Sequence, residues 1–180
     1  MNFYNDPENH ELSYLIGFTL GDGAVQKYMV ECFNKDEGMK QYIYNAMKVY
    51  GAITEDKTTS GIWRLRLSSV LIANLIKEDK KMRNDTIEYI LSKEELAQKF
   101  IAAFWDAEGT FAKQKRKYAP YYNVYLYNSN KELIDKIREY LKSKGIDSSI
   151  LTIDNRGTKH RSDRESAGRV RTRTQAGLRA

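Results

Sequence analysis

LIGFTLGDG at residues 15–23 and IAAFWDAEG at residues 101–109 decide how this 180-residue chain is organised. The two align without a gap, 86 residues apart. Each is an apolar run with small residues four apart: Gly17 and Gly21 in the first copy, Ala103 and Ala107 in the second. A four-residue spacing lies on one face of a helix, so both runs read as helices that let a neighbouring backbone come close. A duplicated chain tends to build its site where the copies meet, so the repeat is traced outward from here.

The same kinds of element follow each motif. After the first come VQKYMVECF, a helical pattern from Glu37 to Val49 ending at Gly51, a strand near Ile53, and GIWRLRLS, in which Trp63, Leu65 and Leu67 alternate with Arg64 and Arg66. After the second come TFAKQKRK, the alternating YYNVYLYN, a helix opened by Asn130 and closed by Gly145, and further strand. Val70–Ile76 and Asp85–Leu91 read as short helices between the units, and Ser92 with Glu95 reads as a capping box opening the second motif helix. The expected division is a first half over 10–78, a structured linker over 79–92, a second half over 93–155 and an Arg-rich stretch over 156–180.

Composition narrows the class. With 41% apolar residues the chain can fill a core. Cys32 alone, with only His10 and His160, makes neither a disulfide nor a structural zinc site, and both histidines read as surface residues. The apolar run near Tyr14–Leu20 is far too short for a membrane span and MNFYNDPENH is unlike a signal peptide. The expectation is a soluble, intracellular protein, cytoplasmic or, in a eukaryotic host, organellar. The net charge is +6, but seven Arg and one Lys against Asp163 and Glu165 place all of that excess after Asn155; residues 1–155 hold 22 bases and 22 acids.

If the two motif helices pack side by side, Asp22 and Glu108 come together. Each ends its helix ahead of a glycine, so each carboxylate meets the negative end of a helix dipole as well as its like-charged partner. A divalent cation reverses both penalties, and paired carboxylates with main-chain carbonyls are hard oxygen ligands suited to Mg²⁺ and to metal-assisted phosphodiester hydrolysis. The plainer reading is that two acids merely end two helices; two gap-free copies with the acid in the same place weigh against it.

The doubled motif resembles that of the LAGLIDADG homing endonucleases in their single-chain form, over roughly residues 12–155. The resemblance implies an α+β fold of duplicated αββαββα units forming a pseudo-twofold monomer, whose two antiparallel sheets make a saddle on double-stranded DNA with a long, specific site. It implies Mg²⁺-dependent cleavage across the minor groove leaving short 3′ overhangs, with Mn²⁺ substituting. It assigns the metal to Asp22 and Glu108, assisted by the carbonyls of Gly21 and Ala107. The sixth motif position, acidic in the name sequence, is Leu20 in one copy and Asp106 in the other. Polar groups near the scissile phosphates match Asn34 and Lys35 in the first half and Asn128 and Ser129 in the second, which makes the two active sites chemically unequal.

DNA-facing strands should alternate core residues with polar or basic ones. Arg64 and Arg66 do so, Lys113, Lys115 and Lys117 share one strand face with Arg116 between them, and Tyr121, Asn123, Tyr125 and Tyr127 form a further row; Gln26, Lys27 and Tyr28 are additional candidates. Rival readings are an intron-RNA-binding maturase, a catalytically silent DNA-binding protein on the same scaffold, and a two-carboxylate hydrolase of small substrates. The end of the chain has two readings: Arg169, Arg171 and Arg173 alternating with Val170, Thr172 and Thr174 as a last strand, or a flexible basic tail, which is favoured because no closing helix follows.

Overall fold

The computed structural model describes residues 9–83, 85–114, 121–146, 148–153 and 169–174. The chain divides into two compact units, Met1–Ala107 and Glu108–Ala180.

The first unit opens with α1 (Asn9–Asp22), β1 (Gly23–Val25), β2 (Met29–Asn34) and α2 (Glu37–Met47), and continues with β3 (Ala52–Lys57), β4 (Trp63–Ser68) and α3 (Val70–Lys80). Asp36 caps α2 by accepting from the Met39 amide at 2.8 Å, and Ser69 caps α3 through the Ile72 amide at 3.4 Å. The strands form an antiparallel sheet in the order β1-β2-β4-β3. Period-two alternation sends Val30, Cys32, Leu65 and Leu67 to one face, where they are buried beneath the helices. Glu31, Arg64, Arg66 and Asp56 belong to the other face, with Glu31 opposite Arg66 and Arg64 opposite Asp56. On the helix side, buried Lys40 of α2 pairs with Glu37 at 3.0 Å and Glu55 at 3.3 Å and lies over the Trp63 ring.

α4 (Thr86–Ser92) and α5 (Glu94–Glu108) complete this unit apart from Glu108, the last residue of α5. The expected capping box is not formed. Ser92 ends α4, and its hydroxyl donates to the Tyr89 carbonyl three residues back at 2.7 Å, so it is committed to the preceding helix. One step of the small-residue stripe, Gly17 with Ala103, brings two helices together as its spacing predicts. A Cβ on Gly17 would fall on the carbonyl of Phe100 and lie 3.2 Å from the Ala103 Cβ, so α1 and α5 touch backbone to backbone. Phe18, Leu15 and Ile16 of α1 and Phe100 and Phe104 of α5 are among the largest fully buried side chains, each contributing about 1.5–3 kcal/mol by removal from water.

The second unit repeats the order: β5 (Gly109–Gln114), β6 (Tyr121–Leu126), α6 (Lys131–Ser143), β7 (Ser148–Ile153) and β8 (Arg169–Thr174). Asn130 caps α6, and Gly145 follows it at φ 76°, the left-handed turn that lets the Ile146 amide reach the Leu141 carbonyl. β5 pairs with β6 and β7 with β8, all antiparallel, and β6 lies beside β8. The favoured tail reading is therefore corrected at 169–174. This stretch pairs residue for residue with β7, Arg171 opposite Leu151 and Arg173 opposite Ser149. The alternation of Arg with Val and Thr suits a pleated strand, and without it β7 would carry a bare edge. The rest of the 156–180 stretch lies outside the described residues.

Candidate active site

A cavity of about 540 Å³ opens in the first unit where α1 ends, lined by Phe18, Asp22, Phe33, Asn34, Lys35, Thr58, Ile62, Asp106 and Ala107. α1 delivers Phe18 and Asp22, the end of β2 and the residue after it deliver Phe33, Asn34 and Lys35, the β3–β4 connection delivers Thr58 and Ile62, and α5 delivers Asp106 and Ala107. Four of the residues singled out in the sequence, Asp22, Asn34, Lys35 and Ala107, thus line one space.

Asp22 faces solvent in this cavity, yet its walls desolvate the carboxylate enough to raise its pKa above the ordinary value. Among the described residues it has no hydrogen-bond or ion-pair partner. An acid that ends a helix, is partly desolvated and, among the described residues, is in no salt bridge is a donor left over for something else. A hard divalent cation fits that donor, and the second acid in the cavity reinforces the fit. Asp106 was noted in the sequence only as a variable motif position. Its carboxyl is also raised, by burial, an effect partly offset by the Tyr14 hydroxyl, which donates to it at 3.3 Å. The Tyr14 ring is buried edge-on against Tyr42 at 4.5 Å; burial and then the Asp106 charge push its own pKa up, so it stays a donor. What marks Asp106 in the sequence is its place at the sixth motif position, two residues before Glu108.

The turn after β2 fixes Asn34 and Lys35. The Asn34 side-chain oxygen accepts from the Asp36 amide at 2.8 Å, which leaves its NH₂ as a donor. Asn128 does the same in the second unit, accepting from the Asn130 amide at 2.8 Å ahead of the α6 cap. The two turns are one device used twice, and they put Lys35 and Ser129 at equivalent positions. Lys35 is exposed and, among the described residues, without an ion-pair partner. A further lysine that the sequence did not flag, Lys80 of α3, donates at 2.9 Å to the carbonyl of Gly23, the residue after Asp22, and its burial lowers its pKa. Glu108 ends α5, Gly21 is the residue before the last of α1, and His10 lies 3.5 Å from Glu95.

The expected DNA-contacting residues divide. Gln26, Lys27 and Tyr28 form the exposed β1–β2 turn, closed by the Gln26 amide on the Met29 carbonyl at 2.8 Å. Arg64 and Arg66 stand on the sheet face away from the helices but are paired with acids. In β5–β6, Lys113 is opposite Tyr122 and shares a register with Phe111, Val124 and buried Leu126. Tyr121, Asn123 and Tyr125 occupy the other register, opposite Gln114, Ala112 and Thr110. Lys113 and the tyrosine row therefore belong to opposite faces, because directly opposed residues of an antiparallel pair share a side. Lys115, Arg116 and Lys117 lie outside the described residues.

Residues 95–175 match the family model of the LAGLIDADG-like domain. The whole chain is similar in fold to the homing endonuclease I-DmoI in complex with DNA and Ca, at TM-score 0.64 and 19% identity, covering 95% of this chain and 85% of that one. It is similar to the homing endonuclease I-WcaI bound to its DNA recognition sequence, at TM-score 0.59 and 15% identity, covering 92% and 75%. It is also similar to the N-terminal LAGLIDADG domain of DUF199/WhiA, at TM-score 0.62 and 14% identity, covering 94% and 80%. The architecture is therefore the α+β fold of the LAGLIDADG homing endonucleases. Among the described residues no helix is long and apolar enough to cross a membrane.

Proposed function

We propose that this chain is a divalent-metal-dependent, site-specific DNA endonuclease of the homing type. The observation that carries the reading is Asp22, a partly desolvated carboxylate at the end of the first motif helix, without a partner among the described residues, in a cavity it shares with Asp106, Asn34 and Lys35. I-DmoI, whose fold this chain shares, has been solved in complex with DNA and Ca and in complex with DNA and Mn.

Asp22 and Glu108, with the Gly21 and Ala107 carbonyls, would hold Mg²⁺, or Mn²⁺ in its place. When bound, the cation supplies Lewis acidity at the scissile phosphate and acidifies a water molecule. Lys35 offers an exposed ammonium to the phosphate as negative charge builds in the transition state. The Asn34 NH₂, aimed by the turn that ties down its oxygen, orients water or a phosphate oxygen. Asn128 and Ser129 take these places in the second half. The sheet face of Arg64 and Arg66 and the β6 row of Tyr121, Asn123 and Tyr125 are the proposed groove-reading surfaces, with double-stranded DNA the partner and the chain acting as a monomer.

A second reading is a DNA-binding protein without cleavage. It is favoured by the likeness to the WhiA domain, since one scaffold can carry more than one activity. Asp22→Asn separates the two: under the nuclease reading it abolishes Mg²⁺-dependent cutting of a target plasmid while duplex binding survives. Equal cutting by wild type and variant, or no cutting of a bound target by wild type, would overturn the assignment.

A further inference from the structure

Arg64 and Arg66, expected to face DNA as free cations, are instead built into a closed charge network with Asp56 and Glu31. Arg64 donates to Asp56 through Nε at 2.9 Å and Nη2 at 2.6 Å. Arg66 donates through Nε to Glu31 at 3.2 Å and through Nη2 to the same Asp56 at 2.9 Å. Gln26 Nε2 completes the cluster on the second Glu31 oxygen at 3.0 Å. Two guanidiniums and two carboxylates cancel, so this sheet face attracts phosphate weakly. The arrangement nonetheless leaves each arginine something to offer.

A guanidinium carries five N–H donors, in a side edge of Nε with Nη2 and an end edge of Nη1 with Nη2. Arg64 spends its side edge on Asp56, while Arg66 divides Nε and Nη2 between Glu31 and Asp56. Among the described residues nothing engages either Nη1, so Arg64 keeps its end edge and Arg66 its Nη1, each held in place. A rigid pair of end-edge donors matches guanine O6 and N7 in the major groove, whereas a mobile arginine serves equally well as a phosphate clamp. Building on the proposed DNA reading, we propose that Asp56 and Glu31 are positioning residues that turn Arg64 and Arg66 into guanine readers and suppress their use as general phosphate binders. The acids trade affinity for selectivity, by fixing the arginines and by repelling duplexes that offer no guanine there.

The test is selection from a randomised duplex library by the full chain in EDTA, where no strand is cut, for wild type, Arg64→Ala, Asp56→Asn and Glu31→Gln. Wild type should enrich duplexes with fixed guanines, and Arg64→Ala should relax one of those positions. Asp56→Asn should relax the same position while binding a scrambled duplex about 3- to 10-fold more tightly, with the salt slope steeper by about one as one phosphate contact is gained. Asp56 is only half-buried at a strand face, so the Asn variant should still unfold cooperatively in urea, at a lower midpoint. Were that transition lost, Glu31→Gln makes the same comparison at the position read by Arg66. If both acid variants keep the full guanine preference that Arg64→Ala loses, the positioning role is wrong and the DNA reading stands. If wild type enriches nothing, the DNA reading itself falls.

Discussion

Two residues of α1 carry opposite lessons about stability. Gly17 is where the α5 backbone touches, and the Phe100 carbonyl occupies the space of its missing Cβ. Gly17→Ala gains helix propensity, worth at most about 1 kcal/mol, but must push two buried helices apart, a repacking that typically costs about 1–3 kcal/mol. The net outcome is a lower urea midpoint with an unchanged m value; a midpoint at or above wild type would show that the helices are not in contact there. Asp22 is the reverse case. Its raised pKa means the folded state favours the protonated acid, so this group's contribution to stability is present below the ordinary carboxylate pKa and lost as pH rises through the raised value. At pH 7 the ionised form costs stability in the absence of metal. Asp22→Asn should therefore raise Tm in EDTA. It should also remove any rise that Mg²⁺ gives the wild type. A fall in Tm in EDTA would mean that Asp22 has a protein partner. Asp56 shows the third situation: the Arg64 hydrogen bonds, then those of Arg66, outweigh desolvation and hold its carboxyl down to about 2. Its stabilising effect is present above the ordinary pKa and lost only near that low value. A carboxyl-carbon NMR titration should place its midpoint near pH 2 and move it up in Arg64→Ala.

At the scale of elements, the motif helices, the capped helices α2 and α6 and the alternating strands β2, β4 and β6 were legible because each is set by local chemistry: small residues four apart, an Asx cap, period-two burial. The errors came where two local rules compete. Ser92 satisfies a cap pattern forward and a back-bond to Tyr89 behind, and the sequence does not rank them. Arg169–Thr174 has strand periodicity in a basic, aromatic-free context, and only its long-range partner β7 decides. The candidate site divides on the same principle. Asp22 and Lys35 stand out by position, whereas the acids on Arg64 and Arg66 are revealed by register, which single-strand patterns do not give, and Asp106 by the packing that brings α5 to the cavity. The strand at 169–174 has a direct consequence. Ending the chain at Asn155 removes β8, baring the β7 edge and the flank of β6, so the truncated protein should lose the cooperative unfolding of its second unit and gain aggregation. A truncated chain with wild-type hydrogen-exchange protection across β6 and β7 would show that β8 adds nothing.

For the molecule as a whole, the +6 charge describes its last residues, and the body through Asn155 balances. Affinity for a polyanion thus has no uniform source, and the two halves are unequal in what they bring to a phosphate. The repeated Asx turn puts the ammonium of Lys35 where the second half has the hydroxyl of Ser129. A cation beside the scissile phosphate stabilises developing charge more than a neutral hydroxyl does. The strand served by the first half should therefore be cut first, and nicked circles should accumulate before linear product when a supercoiled plasmid carrying the selected duplex is digested in Mg²⁺. Lys35→Ser should slow that first cut by roughly 10- to 100-fold and bring the two strand rates together, and Ser129→Lys should narrow the gap from the other side. Labelling each strand separately reads both rates in one reaction. Equal rates in wild type, or a Lys35→Ser variant that slows both strands alike, would mean that this position acts on the fold or on binding and not on one phosphate.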